Sequence, residues 1–154
     1  MKKFVLPFTA MVVFSLSLFG QQNLRKTQFN LTKSGLAISG YDPVAYFTQN
    51  KAVEGDKRYA ASAEGAIYYF SSQANKDLFL KNWQKYEPQY GGWCAYAMGN
   101  SGEKVEIDPE TFKIVNGKLY LYYHTWVNNT LSKWNKDEAN LKAKADGNWA
   151  KIFR

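Results

Sequence analysis

One cysteine and one histidine set the limits of what this chain can do chemically. Cys94 stands directly after Gly91-Gly92-Trp93, where a pair of glycines lets the backbone bend sharply and come close to a ligand. A thiol there can ligate a soft metal or act as a redox nucleophile, or it can be a small buried residue, because free cysteine is among the most buried types. His124 is the partner residue type that chemistry would need, either as the second ligand of a copper or zinc site or as an imidazolium lowering the thiol pKa. Thirty positions separate the two, so the sequence leaves open whether they meet; the alternative for His124 is a partly exposed, hydrogen-bonded ring. Asp42 and Asp108 each precede a proline. A carboxylate pair invites acid–base chemistry, yet Asp-Pro is also a turn and helix-start device, and capping is the expected role.

The remaining candidates are aromatic. Tyr46, Tyr90 and Trp93, with Gly91 and Gly92, form the expected lining of a ligand cleft, while Tyr41, Tyr68, Tyr69 and Tyr96 divide between cleft and core. No phosphate-cradling glycine loop, histidine-rich cluster or nucleophile motif with a Ser-His-Asp set is present. A single histidine leaves little room for most hydrolytic mechanisms, and the sequence points to a non-catalytic role.

These residues need elements to position them. Asp42-Pro43 suits the start of a short helical turn presenting Val44, Tyr46 and Phe47 to a core. The runs 57–62 and 66–70 flank Glu64-Gly65 and read as a β-hairpin. Ser72 caps an expected helix from Gln73 to about Lys81, with Ala74, Leu78 and Phe79 on one face. Trp83 to Gly92 reads as a loop, and Trp93 to Met98 is apolar but too short to assign as strand or helix. Asn116-Gly117 between two β-prone runs is the strongest hairpin signal in the chain. Two helical segments are expected from near Thr125, carrying Val127, Leu131, Trp134 and Leu141 inward, with Asp146-Gly147 as the stop and Trp149, Ile152 and Phe153 docking back. The fold class is α+β: a small antiparallel sheet of β-hairpins with helices packed on it.

The N-terminus predicts export. Met1-Lys2-Lys3 is a basic n-region, and Phe4 to Phe19 carries no charge, a length suited to a signal-peptide h-region and short of the ~20 residues of a spanning helix. Cleavage is expected near Gly20, with an uncleaved anchor as the alternative; residues 21–33 are then a flexible mature start, and 34–154 a single domain. The mature protein would be periplasmic or extracellular, with no stable membrane span. At 17% aromatic residues the chain is rich enough in large side chains to build a core, and a lone cysteine rules out an internal disulfide. The formal charge of +7 comes from scattered residues, and Lys133 to Lys151 interleave with Asp137, Glu138 and Asp146. That pattern is a solvated helix face, and no nucleic-acid partner is expected.

Six separated segments, taken in order, resemble the YHS domain family, over about Ser34 to Phe153. They are Gly40-Tyr41-Asp42-Pro43-Val44-Ala45-Tyr46-Phe47, Tyr68-Tyr69-Phe70-Ser71-Ser72, Asn75-Lys76-Asp77-Leu78-Phe79, Tyr86 to Ala95, Asp108-Pro109 and Gly117-Lys118-Leu119-Tyr120-Leu121. The resemblance implies the fold more firmly than an activity. Metal-handling members carry cysteines at three points which fall here on Ala45, Ser71 and Asn75. None of these is a thiol, and soft zinc or copper(I) sites need thiolates, so metal binding through those positions does not transfer. The resulting expectation is an exported YHS-type module that binds a small ligand or metal ion, with an envelope interaction domain or a Cys94-dependent redox protein as alternatives.

Overall fold

The computed structural model describes residues 24–152; the expected leader, residues 1–20, and Phe153 lie outside the described residues. The chain runs through helical residues 24–28 (α1), α2 Ala45–Thr48, the hairpin β1 Asp56–Ala63 and β2 Ala66–Phe70, then α3 Gln73–Lys81 and α4 Trp83–Tyr86. A tight turn at Gln89–Gly92 leads to α5 Ala95–Asn100, the hairpin β3 Asp108–Val115 and β4 Lys118–Tyr122, and the short pair β5 His124–Thr125 and β6 Asn128–Asn129. Helices α6 Thr130–Trp134 and α7 Glu138–Ile152 follow. The architecture is α+β, with three antiparallel strand pairs among the described residues.

Local chemistry explains the hairpins. Asn116 and Gly117 adopt φ of 50° and 71°, the pair of positive angles that a right-twisted two-residue turn demands. Glu64 and Gly65 do the same between β1 and β2, at 46° and 89°. The Ser72 hydroxyl accepts the Asn75 amide and starts α3 as expected.

Strand β4 organises the interior. Successive side chains of a strand face opposite ways, and here both faces are buried. Leu119 and Leu121 join Val44, Tyr46, Tyr68, Phe70, Phe79 and Tyr86 in one cluster, between the first hairpin and α3. Tyr120 and Tyr122 join Tyr90, Ala95, Met98, Trp134, Leu141 and Ala145 in the other, under α5, α6 and α7. β4 is thus the wall between two half-cores.

Several expected elements are placed differently. Helix α3 buries Asn75 and Phe79, one turn apart, whereas Ala74 and Leu78 are exposed; a buried carboxylate recruits Asn75 inward. The expected 83–92 loop contains α4, and 95–100 is helical. The last helices begin at Thr130, after a short hairpin, and Asn129 caps α6 by accepting the Ser132 amide. Helix α7 passes through Asp146-Gly147 to Ile152. There the Asn148 side chain donates to the Met98 carbonyl (2.9 Å) and Trp149 meets Phe29 (ring centroids 5.7 Å), and these tertiary contacts offset the poor helix propensity of glycine. Residues 24–33, expected as a loose start, are docked. Arg25 is buried against Glu87 in an ion pair, and the Asn30 amide donates to the Gly91 carbonyl (2.9 Å). Among the described residues no helix is long and apolar enough to cross a membrane.

Candidate functional site

Cys94 ends the turn that precedes α5 and is 0% exposed. Its own amide donates to the Val105 carbonyl (2.9 Å), its sulfur receives the Tyr123 amide (3.3 Å), and it lies 3.4 Å from the Thr130 hydroxyl. That hydroxyl in turn donates to the Tyr123 carbonyl (2.7 Å). The thiol therefore ties the start of α5 to the end of β4 and the start of α6. His124 is the next residue along, but its ring turns to the β3 side with its side chain 41% exposed. Nδ1 lies 3.0 Å from the Thr111 hydroxyl and 3.3 Å from an Asp108 carboxylate oxygen. Thr111 donates its own hydroxyl proton to Asp108 (2.7 Å), so the ring, the hydroxyl and the carboxylate form one cluster. The sulfur is buried with Tyr123 and Thr130 as its partners, and the imidazole is partly exposed with Thr111 and Asp108 as its partners. Among the described residues no group of three or more His, Cys, Asp or Glu side chains forms a metal centre.

The two Asp-Pro carboxylates serve as structural anchors. Asp108 accepts the Glu110 amide (3.0 Å) as well as the Thr111 hydroxyl. Asp42 is fully buried and receives five hydrogen bonds: Val44 and Ala45 amides on one oxygen (2.8 and 3.3 Å), and the Ser71 amide, Ser71 hydroxyl and Asn75 side-chain amide on the other (2.8, 2.6 and 2.7 Å). Burying a carboxylate is costly unless it is this well supplied with donors. Ala45 of α2, Ser71 just after β2 and Asn75 of α3 thus converge on a single carboxylate.

The aromatic candidates separate into core and surface. Tyr46 is 0% exposed; its hydroxyl donates to the Pro109 carbonyl (2.8 Å) and its ring meets Phe112 edge-on (4.8 Å). Burial raises its pKa far above the usual phenol range. It is a core residue, not a cleft residue. Trp93 is half-buried, with its indole N–H donating to the Gln28 carbonyl (2.7 Å), and the Gly92 carbonyl receives the Asn30 side-chain amide (3.3 Å). Both are consumed in holding the N-terminal segment.

Tyr90 and Gly91 do reach an opening. A groove of about 370 Å³ runs between α1, the 87–91 turn and α7, bounded by Arg25, Phe29, Glu87 and Trp149 besides Tyr90 and Gly91. The backbone here is left-handed, as it is also at Ile38, Ser39 and Gly40. Tyr90, Gly91 and Gly92 have φ of 55°, 61° and 83°, three successive left-handed residues, and a left-handed non-glycine costs roughly 1–2 kcal/mol. The turn leaves no room for a side chain at position 91, where a Cβ would sit 2.7 Å from the Trp149 ring and 2.9 Å from Phe29. The groove wall is polar and already paired. Arg25 and Glu87 bind through both oxygens, Tyr68 donates its hydroxyl to Glu87 (2.6 Å), and the Arg25 guanidinium lies over the Phe29 ring (4.3 Å). The Tyr90 hydroxyl donates to Asp146 (2.9 Å); burial, reinforced by that carboxylate, raises its pKa strongly and keeps it protonated at neutral pH.

Such an arrangement can hold a flat or apolar molecule against two rings while offering carboxylate and guanidinium edges for orientation. Of the expected site residues, the structure brings Tyr90 and Gly91 to one groove. It sends Tyr46, Cys94 and His124 elsewhere. Arg25, Glu87 and Asp146 were missed, because Arg25 sat in a segment read as loose and Asp146 in a stop signal. Glu87 alone carried a hint, as the charged member of the otherwise apolar and turn-forming Tyr86-Glu87-Pro88 block. Compared with known proteins, the chain matches no protein-family model, no curated protein and no solved structure.

Proposed function

We propose that the protein is an exported, non-catalytic YHS-type binding or accessory module that holds a small molecule in the groove beside Tyr90 and Gly91. The observation that carries this reading is the strained, left-handed Tyr90 at the edge of an open groove. Strained backbone persists where surroundings over-determine it, and it clusters at ligand clamps. Here it presents the turn to a wall of rings and preformed ion pairs. The YHS part of the reading draws support from the Asp42 cluster. Positions where metal-handling relatives carry cysteines, 45, 71 and 75, come together around one carboxylate, here through internal hydrogen bonds and with no thiol among them.

Amide chemical-shift mapping with a set of small aromatic compounds bearing an amide or carboxylate edge tests the groove. Saturable shifts confined to residues 87–91 and 146–150, and lost in Gly91→Ala, are expected. A set that moves nothing there, or moves it equally in the variant, removes the proposal.

One observation favours the alternative of an envelope interaction domain. At the tip of the β5–β6 hairpin, Trp126 and Val127 are 98% and 84% exposed. An apolar pair presented this fully on a two-residue turn gains free energy when a partner covers it. A photo-crosslinking residue at position 126 of the exported protein, yielding no discrete adduct in intact cells, would count against that role.

A further inference from the structure

A second opening lies on the other side of the N-terminal segment, between α1, the loop 31–37 and the β1–β2 turn, with a volume of about 430 Å³. Its floor is apolar, formed by Leu31 and Ile67, and Thr32, Ser34 and Ser62 place hydroxyls around it. Two ammonium groups, Lys26 and Lys33, stand at its rim, and no carboxylate residue lines it among the described residues. Four cations of the described residues are held in ion pairs, Arg25 with Glu87, Arg58 with Asp56, Lys113 with Glu138 and Lys142 with Asp146. Lys26 and Lys33 form no ion pair among the described residues.

The rim is built before any ligand arrives. The Thr32 amide donates to the Leu36 carbonyl (2.9 Å), the Gly35 amide to the Thr32 carbonyl (2.8 Å) and the Leu36 amide to the Thr32 hydroxyl (3.1 Å), closing the loop on itself. The loop is then stitched to β2, as Ala37 donates to the Ile67 carbonyl (2.9 Å) and Ile67 to the Gly35 carbonyl (2.8 Å). Such a fixed rim lowers the ordering cost of binding. Lysine is a compact charge suited to phosphate and carboxylate oxygens, and hydroxyls supply further donors.

From this we infer a binding site for a small organic anion, an apolar or ring-bearing body carrying one phosphate or carboxylate group, which seats on Leu31 and Ile67 and is held by Lys26 and Lys33. The site shares no lining residue with the groove at Tyr90, so either can fail alone. The acid group sits between the two ammoniums and the Thr32–Ser34 hydroxyls, and the body covers the apolar floor.

The test is an amide-shift titration of the full mature chain with phenyl phosphate, benzoate and inorganic phosphate at low and high salt. Expected are saturable shifts at residues 32–36 and 65–67 with phenyl phosphate. Binding should weaken with salt and by at least about tenfold in Lys26→Gln/Lys33→Gln, as loss of two short-range charge contacts requires. Both lysines are exposed, so the double variant keeps its fold, which its amide spectrum checks directly. Three results overturn the inference: no saturable shift at these residues, equal affinity in the double variant, or inorganic phosphate binding as tightly as phenyl phosphate, which would leave the apolar floor without a role.

Discussion

Replacing Asp42 by asparagine removes a charge at the point where α2, the end of β2 and α3 are joined. The carboxylate accepts two helical amides on one oxygen and three donors from Ser71 and Asn75 on the other. Asparagine keeps a single acceptor oxygen. If that oxygen serves Val44 and Ala45, the new NH2 faces the Ser71 amide and the Asn75 side chain, donor against donor. If it flips, the NH2 faces the two helical amides instead. The Ser71 hydroxyl can turn, and the Asn75 side-chain amide can flip, so that each accepts from the new NH2. The Ser71 amide, or in the other orientation the Val44 and Ala45 amides, still loses its acceptor, so one or two charge-assisted hydrogen bonds are lost, each worth about 1.5–3 kcal/mol. The expected loss is about 1.5–6 kcal/mol, a large share of the ~5–15 kcal/mol that holds a domain together. Urea unfolding followed by circular dichroism should show a lower midpoint at an unchanged slope. Ser71→Ala, which removes one hydroxyl donor and leaves the charge, should cost about 1.5–3 kcal/mol. In the double variant the two losses should not add, because Ser71 is one of the groups that partly rescue asparagine. A loss below about 1 kcal/mol for Asp42→Asn would refute the claim that this carboxylate holds three elements together.

Alkaline unfolding should be abrupt: burial raises the pKa values of Tyr46, Tyr68, Tyr90 and Tyr122, so the native state keeps protons that the unfolded chain sheds above about pH 10, and stability falls by up to about 1.4 kcal/mol per tyrosine per pH unit from there upward. The last part of the tyrosinate absorbance should appear only as helical circular dichroism is lost, near pH ~11, and the full signal of all eleven tyrosines with the helices intact would contradict it. Gly147→Ala should stabilise by up to about 1 kcal/mol in thermal unfolding, since α7 is continuous there and an added Cβ meets nothing within 4 Å. Cys94 should react with an alkylating reagent only as fast as the protein opens, and labelling at the rate of a free thiol in native buffer would mean that the sulfur is reachable.

The parts of the fold that could be read from the sequence are those decided within a few residues. Asn116-Gly117 and Glu64-Gly65 announced their hairpins because only certain residues accept positive φ, and Ser72 announced a helix because its hydroxyl satisfies an amide three positions on. What escaped was decided by distant partners. Asn75 turns inward on α3 because Asp42, thirty-three positions earlier, accepts from it. Helix α7 continues past Gly147 because Met98 and Phe29 hold Asn148 and Trp149. The N-terminal helix docks because Arg25 finds Glu87 sixty-two residues away. One long-range fact was available and went unread. In Lys118-Leu119-Tyr120-Leu121-Tyr122 both alternating sets are large and largely apolar, which is the mark of a strand buried on both faces.

The candidate site divides for a geometric reason. Paired glycines before Cys94 signal a sharp bend, and a sharp bend is what forms, but a bend has two sides. Left-handed angles at Tyr90, Gly91 and Gly92 set the first half of the turn, though buried, along the groove and direct the chain inward. Three residues past Gly91, Cys94 has already crossed to the interior, where Tyr123 and Thr130 occupy its sulfur. Residues adjacent along the chain therefore serve different purposes: Gly91 shapes a surface, and Cys94 fastens the wall behind it. A thiol in the open and a glycine packed against Trp149 cannot both follow from this one turn, so moving the sulfur to the groove would require undoing the bend that makes the groove.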